Sequence, residues 1–116
     1  MDEGKFEVER SDEPTCVRLI LRGDLDLYSA PALDDMLVEV EGEKYPLVFL
    51  DLRELDFLDS AGLRLVMRSH ARAEQDGRRM VIVRGGTTID RVFKLTGLED
   101  ELEIVDEPFS PPPAES

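Results

Sequence analysis

One short segment of the sequence places a hydroxyl group beside a carboxylate where a helix is predicted to begin. The segment is Asp59-Ser60-Ala61-Gly62-Leu63, and it follows an apolar stretch typical of a buried strand. The first backbone amides of a helix have no partner within the helix, and together with the helix dipole they stabilise a nearby anion. Ser60 is therefore a candidate phosphorylation site that the fold would tolerate. The same residue types are also ordinary helix caps, so a purely structural role stays open at this point.

Few other residues offer catalytic or metal-binding chemistry. Cys16 is the single cysteine and His70 the single histidine, so an internal disulfide is excluded and a metal site is not expected. His70 shares a helical stripe with Leu63 and Met67 and is expected at the edge of the core, not as a catalytic base. The sequence also lacks a glycine-rich phosphate loop followed by lysine. We therefore expect no enzymatic activity and no cofactor.

The composition restricts the partners that the protein can have. Its 116 residues suit one domain, and 27 acidic against 14 basic residues give a formal net charge of -13. This charge repels nucleic acids and anionic membranes, so neither is expected as a direct partner. No apolar run approaches the roughly 20 residues that span a bilayer, and the N-terminus lacks a signal peptide. A cytoplasmic location is therefore expected, while the sequence gives no indication of oligomeric state.

The hydrophobic pattern predicts strands that alternate with helices. An alternating stretch from Phe6 and a strand over 16–22 form an N-terminal hairpin, and Gly23 is expected to end the second strand. Further strands are predicted over 47–50, 80–83 and 102–105, and helices begin near Ser29, at Asp59 or Ser60, and at Thr87 or Thr88. This order predicts an α/β fold with a mostly parallel sheet of about five strands, an N-terminal hairpin and three main helices.

The pattern also predicts a buried face and a domain boundary. Val17, Leu19 and Leu21 share one face of the second strand, which is expected to be the buried one because it is wholly aliphatic. Residues 1–107 are expected to form the domain. Residues 108–116 contain four prolines and are expected to form a disordered tail that stability does not require.

Three blocks of the sequence resemble, in their order and spacing, those of the STAS domain family, which includes bacterial anti-sigma factor antagonists. They are Gly23-Asp24-Leu25-Asp26, Leu47-Val48-Phe49-Leu50-Asp51-Leu52 and Phe57-Leu58-Asp59-Ser60-Ala61-Gly62-Leu63. The later Val92-Phe93-Lys94-Leu95-Thr96-Gly97-Leu98 is similar to the final helix of that family and its Gly-Leu exit. The resemblance runs from about Phe6 to Val105. It implies a single STAS-like domain in which Ser60 is phosphorylated by an anti-sigma factor that is also a serine kinase. Only the unphosphorylated form would bind this kinase and free a sigma factor, and a cognate phosphatase would reverse the modification.

The resemblance also implies which residues support the switch. Asp26 is expected near Ser60, Asp59 is expected to orient it, and the partner-binding or supporting group is completed by Ala61, Gly62, Leu63 and Arg64. Asp26 is equally typical of a turn residue that accepts hydrogen bonds from local amides. Ala61 stands where the family often has a second serine, which removes an alternative phosphate acceptor but not Ser60 itself.

Three other functions compete with this interpretation. Asp51 with Asp24 and Asp26 resembles the acidic group of an aspartyl-phosphate receiver, but the lysine that such domains need after a late strand is missing. A hydrolase with Ser60 as nucleophile would need a nearby base and the Gly-x-Ser-x-Gly elbow, which this segment lacks. A STAS adaptor in a larger signalling complex, with Ser60 only a helix cap, is the remaining alternative.

Overall fold

The computed structural model describes residues 5–109, in which strands and helices alternate. The strands are β1 (Glu7–Asp12), β2 (Cys16–Leu25), β3 (Leu47–Leu58), β4 (Arg79–Val83) and β5 (Glu103–Val105). The helices are α1 (Ala30–Gly42), α2 (Ser60–Gln75) and α3 (Thr87–Thr96), and a short 3-10 turn spans Leu98–Glu101. Within these residues, no helix is long and apolar enough to cross a membrane.

The strands form one sheet in the order β1-β2-β3-β4-β5. β1 and β2 are antiparallel, whereas each later pair of neighbours is parallel and is joined by a connection that contains a helix. The predicted α/β fold, with its hairpin and three main helices, is confirmed. Leu25 pairs with Leu58 at the ends of β2 and β3. The loops that lead into α1 and α2 therefore leave the same edge of the sheet side by side.

All three helices contribute to a core on one face of the sheet. The sheet supplies Val17, Leu19, Leu21, Val48, Leu50, Leu52, Met80 and Ile82, and the helices supply Leu33, Leu37, Val40, Leu63, Leu65, Val66, Ala73, Ile89 and Phe93. Full burial of such a side chain contributes about 1.5–3 kcal/mol, so this layer is the main source of stability. The prediction that Val17, Leu19 and Leu21 face the core is confirmed.

The opposite face of the sheet, here called the helix-free face, carries a second and smaller apolar cluster. Its members are Cys16, Leu47, Phe49, Val81 and Val83. Ile20 is also buried. The centre of β2 is thus buried on both faces, although the sequence pattern predicted a single buried face. Val105 and Phe109, which lie far from β2 in the sequence, pack against the cluster on this face.

β2 continues past Gly23, which was expected to end it. Gly23 has φ +88°, a left-handed conformation that favours glycine, and a Cβ there would lie 1.7 Å from the carbonyl oxygen of Lys5. The pairing of β2 with β3 shifts register on both sides of this residue, so the strand bulges and continues to Leu25. Gly23 is therefore a bulge residue and not a strand terminator.

β3 also extends beyond its predicted end at Leu50 and reaches Leu58. Most of the acidic segment 51–59 therefore lies within the strand and not in a loop after it. Its side chains divide between core and solvent, with Leu52, Leu55 and Leu58 buried. The extension is possible because the bulged part of β2 supplies pairing partners as far as Leu58.

The structure contradicts the predicted tail 108–116 at Phe109. The Phe109 ring packs edge-on against Phe49, with ring centroids 5.0 Å apart. An aromatic side chain gains more from covering an apolar surface than from exposure to water, which explains why this residue joins the domain. Residues 110–116 lie outside the described residues, and for them the disordered tail stays a prediction.

Candidate functional site

Asp59 fixes the start of α2 and connects it to the neighbouring loop. Its Oδ1 accepts a hydrogen bond from the Gly62 amide at 2.9 Å, so Asp59 is the N-cap residue. Its Oδ2 accepts from the amide of Leu27 at 3.1 Å, and its own amide donates to the carbonyl of Leu25 at 3.2 Å. One side chain thus joins the entry of α2 to the loop between β2 and α1.

Ser60 is the first residue of α2 and is exposed to solvent. Because the Asp59 carboxylate accepts the bond from Gly62, the capping role belongs to Asp59 and the Ser60 hydroxyl is not required for it. The Leu63 amide donates to the Asp59 carbonyl at 2.9 Å, which begins the helical hydrogen-bond pattern. A group added to the Ser60 oxygen would therefore project from the helix start without displacing the cap.

Asp26 organises its own loop. Its Oδ1 accepts from the amides of Tyr28 at 2.9 Å and Ser29 at 3.0 Å. The Ser29 hydroxyl accepts from the Asp26 amide at 2.9 Å and donates to the carbonyl of Asp24 at 2.7 Å, so it does not cap α1 through its side chain. These contacts are those of a turn residue. Asp26 therefore shapes the loop that Asp59 holds beside Ser60.

Gly62 and Leu63 position α2 and are both buried. A Cβ on Gly62 would lie 2.8 Å from the Leu25 carbonyl oxygen, and equally close to the Leu25 and Leu58 side chains. No real Cβ tolerates such distances, so only glycine lets α2 approach the ends of β2 and β3 this closely. Because both residues are buried, neither has a side chain that a partner protein could contact. Their contribution to a switch would be to hold Ser60 in place.

Ala61 and Arg64 line a groove of about 290 Å³ between the beginnings of α1 and α2. Its other lining residues are Leu27, Ala30, Pro31, Asp34 and Arg68. Arg64 and Arg68 are exposed and, among the ion pairs of residues 5–109, neither takes part. The groove therefore offers two cationic side chains beside an apolar floor in a strongly acidic protein.

Large apolar side chains are exposed around this site. Leu27 is 64% exposed, Tyr28 is 90% exposed and Phe57 is 46% exposed. Leu27 and Tyr28 belong to the loop that Asp59 and Asp26 organise, and Phe57 lies two residues before Asp59 in the sequence. A group of exposed apolar residues marks an interaction surface more often than chance. We call Leu27, Tyr28, Phe57 and Ser60 the Ser60 surface.

Comparison with known proteins identifies the family. A family model described as "Mlab, STAS domain" matches residues 8–106. The chain belongs to the STAS family. Among its relatives, the anti-sigma-B factor antagonist of Staphylococcus epidermidis is 30% identical over 82 residues, which cover 71% of this chain and 76% of that protein. The family resemblance seen in the sequence blocks is thus confirmed.

Solved structures have the same fold as this STAS domain. An anti-sigma factor antagonist from Mycobacterium paratuberculosis has a TM-score of 0.77 and 23% identity, covering 90% of this chain and 88% of that one. The Bacillus cell fate determinant SpoIIAA, solved in the phosphorylated form, has a TM-score of 0.66 and 21% identity, covering 88% of this chain and 92% of that one. At these identities the similarity shows the fold.

The residues of the receiver hypothesis do not come together in the STAS domain. Asp51 pairs in register with Ile20, whereas Asp24 pairs with Phe57. The six residues from Asp51 to Phe57 separate these positions by about 20 Å along β3. The Asp51 side chain is 2% exposed, and its Oδ2 lies 2.8 Å from Nη2 of Arg53. Burial alone would raise the pKa of Asp51, but the hydrogen bonds from Arg53 lower it below its ordinary value.

His70 lies well away from Ser60 in the STAS domain. Ten residues of helix separate the two, which is about 15 Å along α2. The His70 side chain is 17% exposed, and its Nδ1 lies 3.7 Å from Glu74. In the part of the chain that the structure describes, no cluster of three or more His, Cys, Asp or Glu residues could hold a metal ion.

Sequence reasoning missed the apolar part of the Ser60 surface. Leu27 and Tyr28 directly follow Asp26 in a predicted loop, and two consecutive large apolar residues in a loop are a usable signal of an exposed contact. The exposure of Phe57 could not be predicted in this way. Phe57 belongs to a block that carries the family resemblance, and only the structure shows that its side chain is 46% exposed.

Proposed function

We propose that this STAS domain is an anti-sigma factor antagonist, and that phosphorylation of Ser60 switches off its binding to an anti-sigma factor that is also a serine kinase. The relatives support the first part, because proteins named anti-sigma-B factor antagonist and anti-sigma factor antagonist are similar over most of the chain. The observation that carries the second part is an exposed serine, free of capping duty, among exposed apolar residues.

Phosphorylation would change the charge of the Ser60 surface without requiring a different fold. A phosphate adds about -1.5 to -2 charges at neutral pH. The positive end of α2 would stabilise this exposed anion by about 0.3–1 kcal/mol, partly offset by the neighbouring Asp59 carboxylate. The hydrogen bond between Asp59 and Gly62 would stay in place, because Ser60 takes no part in it. The modified domain should therefore remain folded.

The partner would bear the energetic cost. A protein that packs against the loop of Leu27 and Tyr28, which Asp59 joins to the start of α2, would cover Ser60 as well, and a phosphate there would be desolvated close to Asp59. Arg64, four residues after Ser60 on α2, would pair with the phosphate in the free domain, so a partner that covers Ser60 would have to desolvate both charges. A loss of about 3 kcal/mol from this desolvation weakens binding more than a hundredfold. The unphosphorylated form would then be the only form that binds the kinase and frees the sigma factor.

The remaining features of the proposal follow from this role. A cognate phosphatase restores the binding form, and the domain itself needs neither a cofactor nor catalytic activity. The acidic composition favours a protein partner over nucleic acid or an anionic membrane. We propose a cytoplasmic location, where kinase, phosphatase and sigma factor would meet the domain.

Two measurements test the proposal. The protein and its Ser60→Ala variant are incubated with a candidate anti-sigma factor kinase and ATP, and any phosphate is located by mass spectrometry. Calorimetric titration then compares Ser60→Ala and Ser60→Asp against the same kinase. Thr87→Asp is the matched control, because Thr87 is likewise the exposed first residue of a helix. Phosphate on Ser60, tight binding by Ser60→Ala and Thr87→Asp, and binding at least about a hundredfold weaker by Ser60→Asp are expected.

Equal affinities of Ser60→Ala and Ser60→Asp would refute the switch. The domain would then be better described as a STAS adaptor, since the groove and the exposed apolar residues suit a partner whether or not Ser60 is modified. Absence of binding by every variant would instead count against the anti-sigma factor partner itself.

A further inference from the structure

The helix-free face of the sheet is apolar although no helix covers it. Phe49 and Val81 are neighbours in register, as are Cys16 and Leu47, and with Val83 they form a strip across β2, β3 and β4. Every member of this strip is at most 4% exposed. The solvent face of an open sheet usually carries polar residues, so an apolar strip this well buried requires a cover.

Two partly buried apolar residues pack against this strip, namely Val105 in β5 and Phe109 in the segment that follows, residues 106–109, here called the Phe109 strap. The Phe109 ring meets Phe49 edge-to-face, with an interplanar angle of 79°. The guanidinium of Arg79 lies 5.1 Å from the centroid of the same ring, and Arg79 also pairs with Glu103. Phe109 is thus held between an aromatic ring below it and a cation beside it.

The strap crosses the sheet from its edge to its centre. It leaves β5 at Val105, where Asp106 pairs with Arg84 at 2.9 Å, and it reaches Phe49 on β3 within four residues. Two strand spacings, about 10 Å, separate β5 from β3, and four extended residues span that distance. The path therefore places Phe109 over the strip without disturbing β5.

The Phe109 strap is attached to the domain by fewer buried contacts than the strands and helices are. The strap follows the last strand, so it adds no pairing to the sheet. Its polar anchor is solvated, since the Asp106 side chain is 85% exposed. Exposed ion pairs hold weakly, and segments with few buried contacts open more easily than the core does.

We propose that the helix-free face is a docking surface for the chain's own segment after β5, closed by Phe109 and able to release while the domain stays folded. The strap is independent of the Ser60 switch. Phe49 lies nine residues before Leu58 on β3, so about 30 Å of strand separates it from the end that leads to Ser60. Release of the strap uncovers the Phe49 strip and leaves the Ser60 surface unchanged.

The test measures access to the strip through a single thiol in the full chain. Cys16→Ala removes the native thiol, and Val81→Cys introduces another beside Phe49 with little change in volume. The rate of reaction with a disulfide reagent is then compared with and without Phe109→Ala. Leu95→Ala is the matched control, because Leu95 is 79% exposed on α3 and belongs to neither apolar cluster of the sheet. Phe109→Ala should accelerate the reaction about tenfold or more, and Leu95→Ala should leave it unchanged.

A second measurement asks whether the segment binds as a ligand. A peptide with the sequence of residues 106–116 is added to the Phe109→Ala chain, and the same peptide with alanine in place of Phe109 serves as control. The first peptide should slow the reaction of the introduced thiol, and the second should not. Native Cys16, which is 1% exposed in the same strip, provides an independent thiol for the same comparison in the otherwise unchanged chain.

Two results would overturn the proposal. If Phe109→Ala leaves the reaction rate of both thiols unchanged, the strap is not what covers the strip. If Phe109→Ala abolishes the native circular dichroism spectrum, Phe109 is an integral core residue and not part of a releasable strap. A native spectrum with accelerated reaction at Cys16 and at the introduced thiol supports the docking surface.

Discussion

Substitution of Gly62 by alanine should destabilise the domain, although alanine is the better helix former. A Cβ at this position would lie 2.8 Å from the Leu25 carbonyl oxygen and from carbon atoms of Leu25 and Leu58. The side chains could adjust slightly, but the carbonyl belongs to a paired strand and cannot retreat. Overpacking of this kind costs about 1–3 kcal/mol. To relieve it, α2 must shift away from the sheet edge, which also moves Ser60.

Gly42 provides an internal control for this prediction. It also lies in a helix, at the end of α1, and a Cβ there would meet nothing within 4 Å. Gly42→Ala should therefore gain up to about 0.5–1 kcal/mol from helix propensity and a restricted unfolded chain. Gly62→Ala receives a similar gain but loses more to overpacking. The difference between the two variants isolates the overpacking cost of about 1–3 kcal/mol.

Urea denaturation followed by circular dichroism measures the difference. The free energy of unfolding of Gly62→Ala should fall below that of Gly42→Ala by the amount given above, with similar denaturant slopes because the folded area is unchanged. A thermal midpoint lower by several degrees should accompany it, since about 1 kcal/mol corresponds to roughly 4–8 °C in a domain of this size. Equal free energies for the two variants would show that α2 does not need glycine to approach β2 and β3.

Two further predictions concern single carboxylates. Asp59→Ala should cost about 0.5–2 kcal/mol of unfolding free energy, whereas Asp59→Ser, whose hydroxyl oxygen still accepts from the Gly62 amide, should cost less; identical losses by urea denaturation would contradict the capping role. The hydrogen bond from Arg10, with one from Tyr45, lowers the pKa of Asp12 from 3.8 to about 2. Its contribution to stability is therefore present above pH 3.8 and lost as the pH falls through 2. Asp12→Asn should flatten the pH dependence of stability in this window, and an unchanged slope in acid titrations would refute the assignment.

The sequence by itself determined the order of elements and the place of the candidate switch. Helical and strand periods are local properties, so the pattern around Leu63, Val66 and Met67 was enough to predict α2 and to put Ser60 at its start. The parallel arrangement followed from the alternation of strands and helices. The single cysteine excluded an internal disulfide without any structure.

Only the tertiary structure decided where β2 and β3 end, what Asp59 joins and what covers the helix-free face. Glycine often ends a strand, but at Gly23 the pairing of β2 with β3 outweighs that preference, and the strand forms a bulge and continues. Asp59 contacts Leu27, which lies 32 residues away in sequence, and Phe109 contacts Phe49 across 60 residues. Such contacts leave no periodic trace in the sequence. The free energy of such a contact is gained only when two segments distant in sequence pack together, and a local sequence pattern does not show which segments do so.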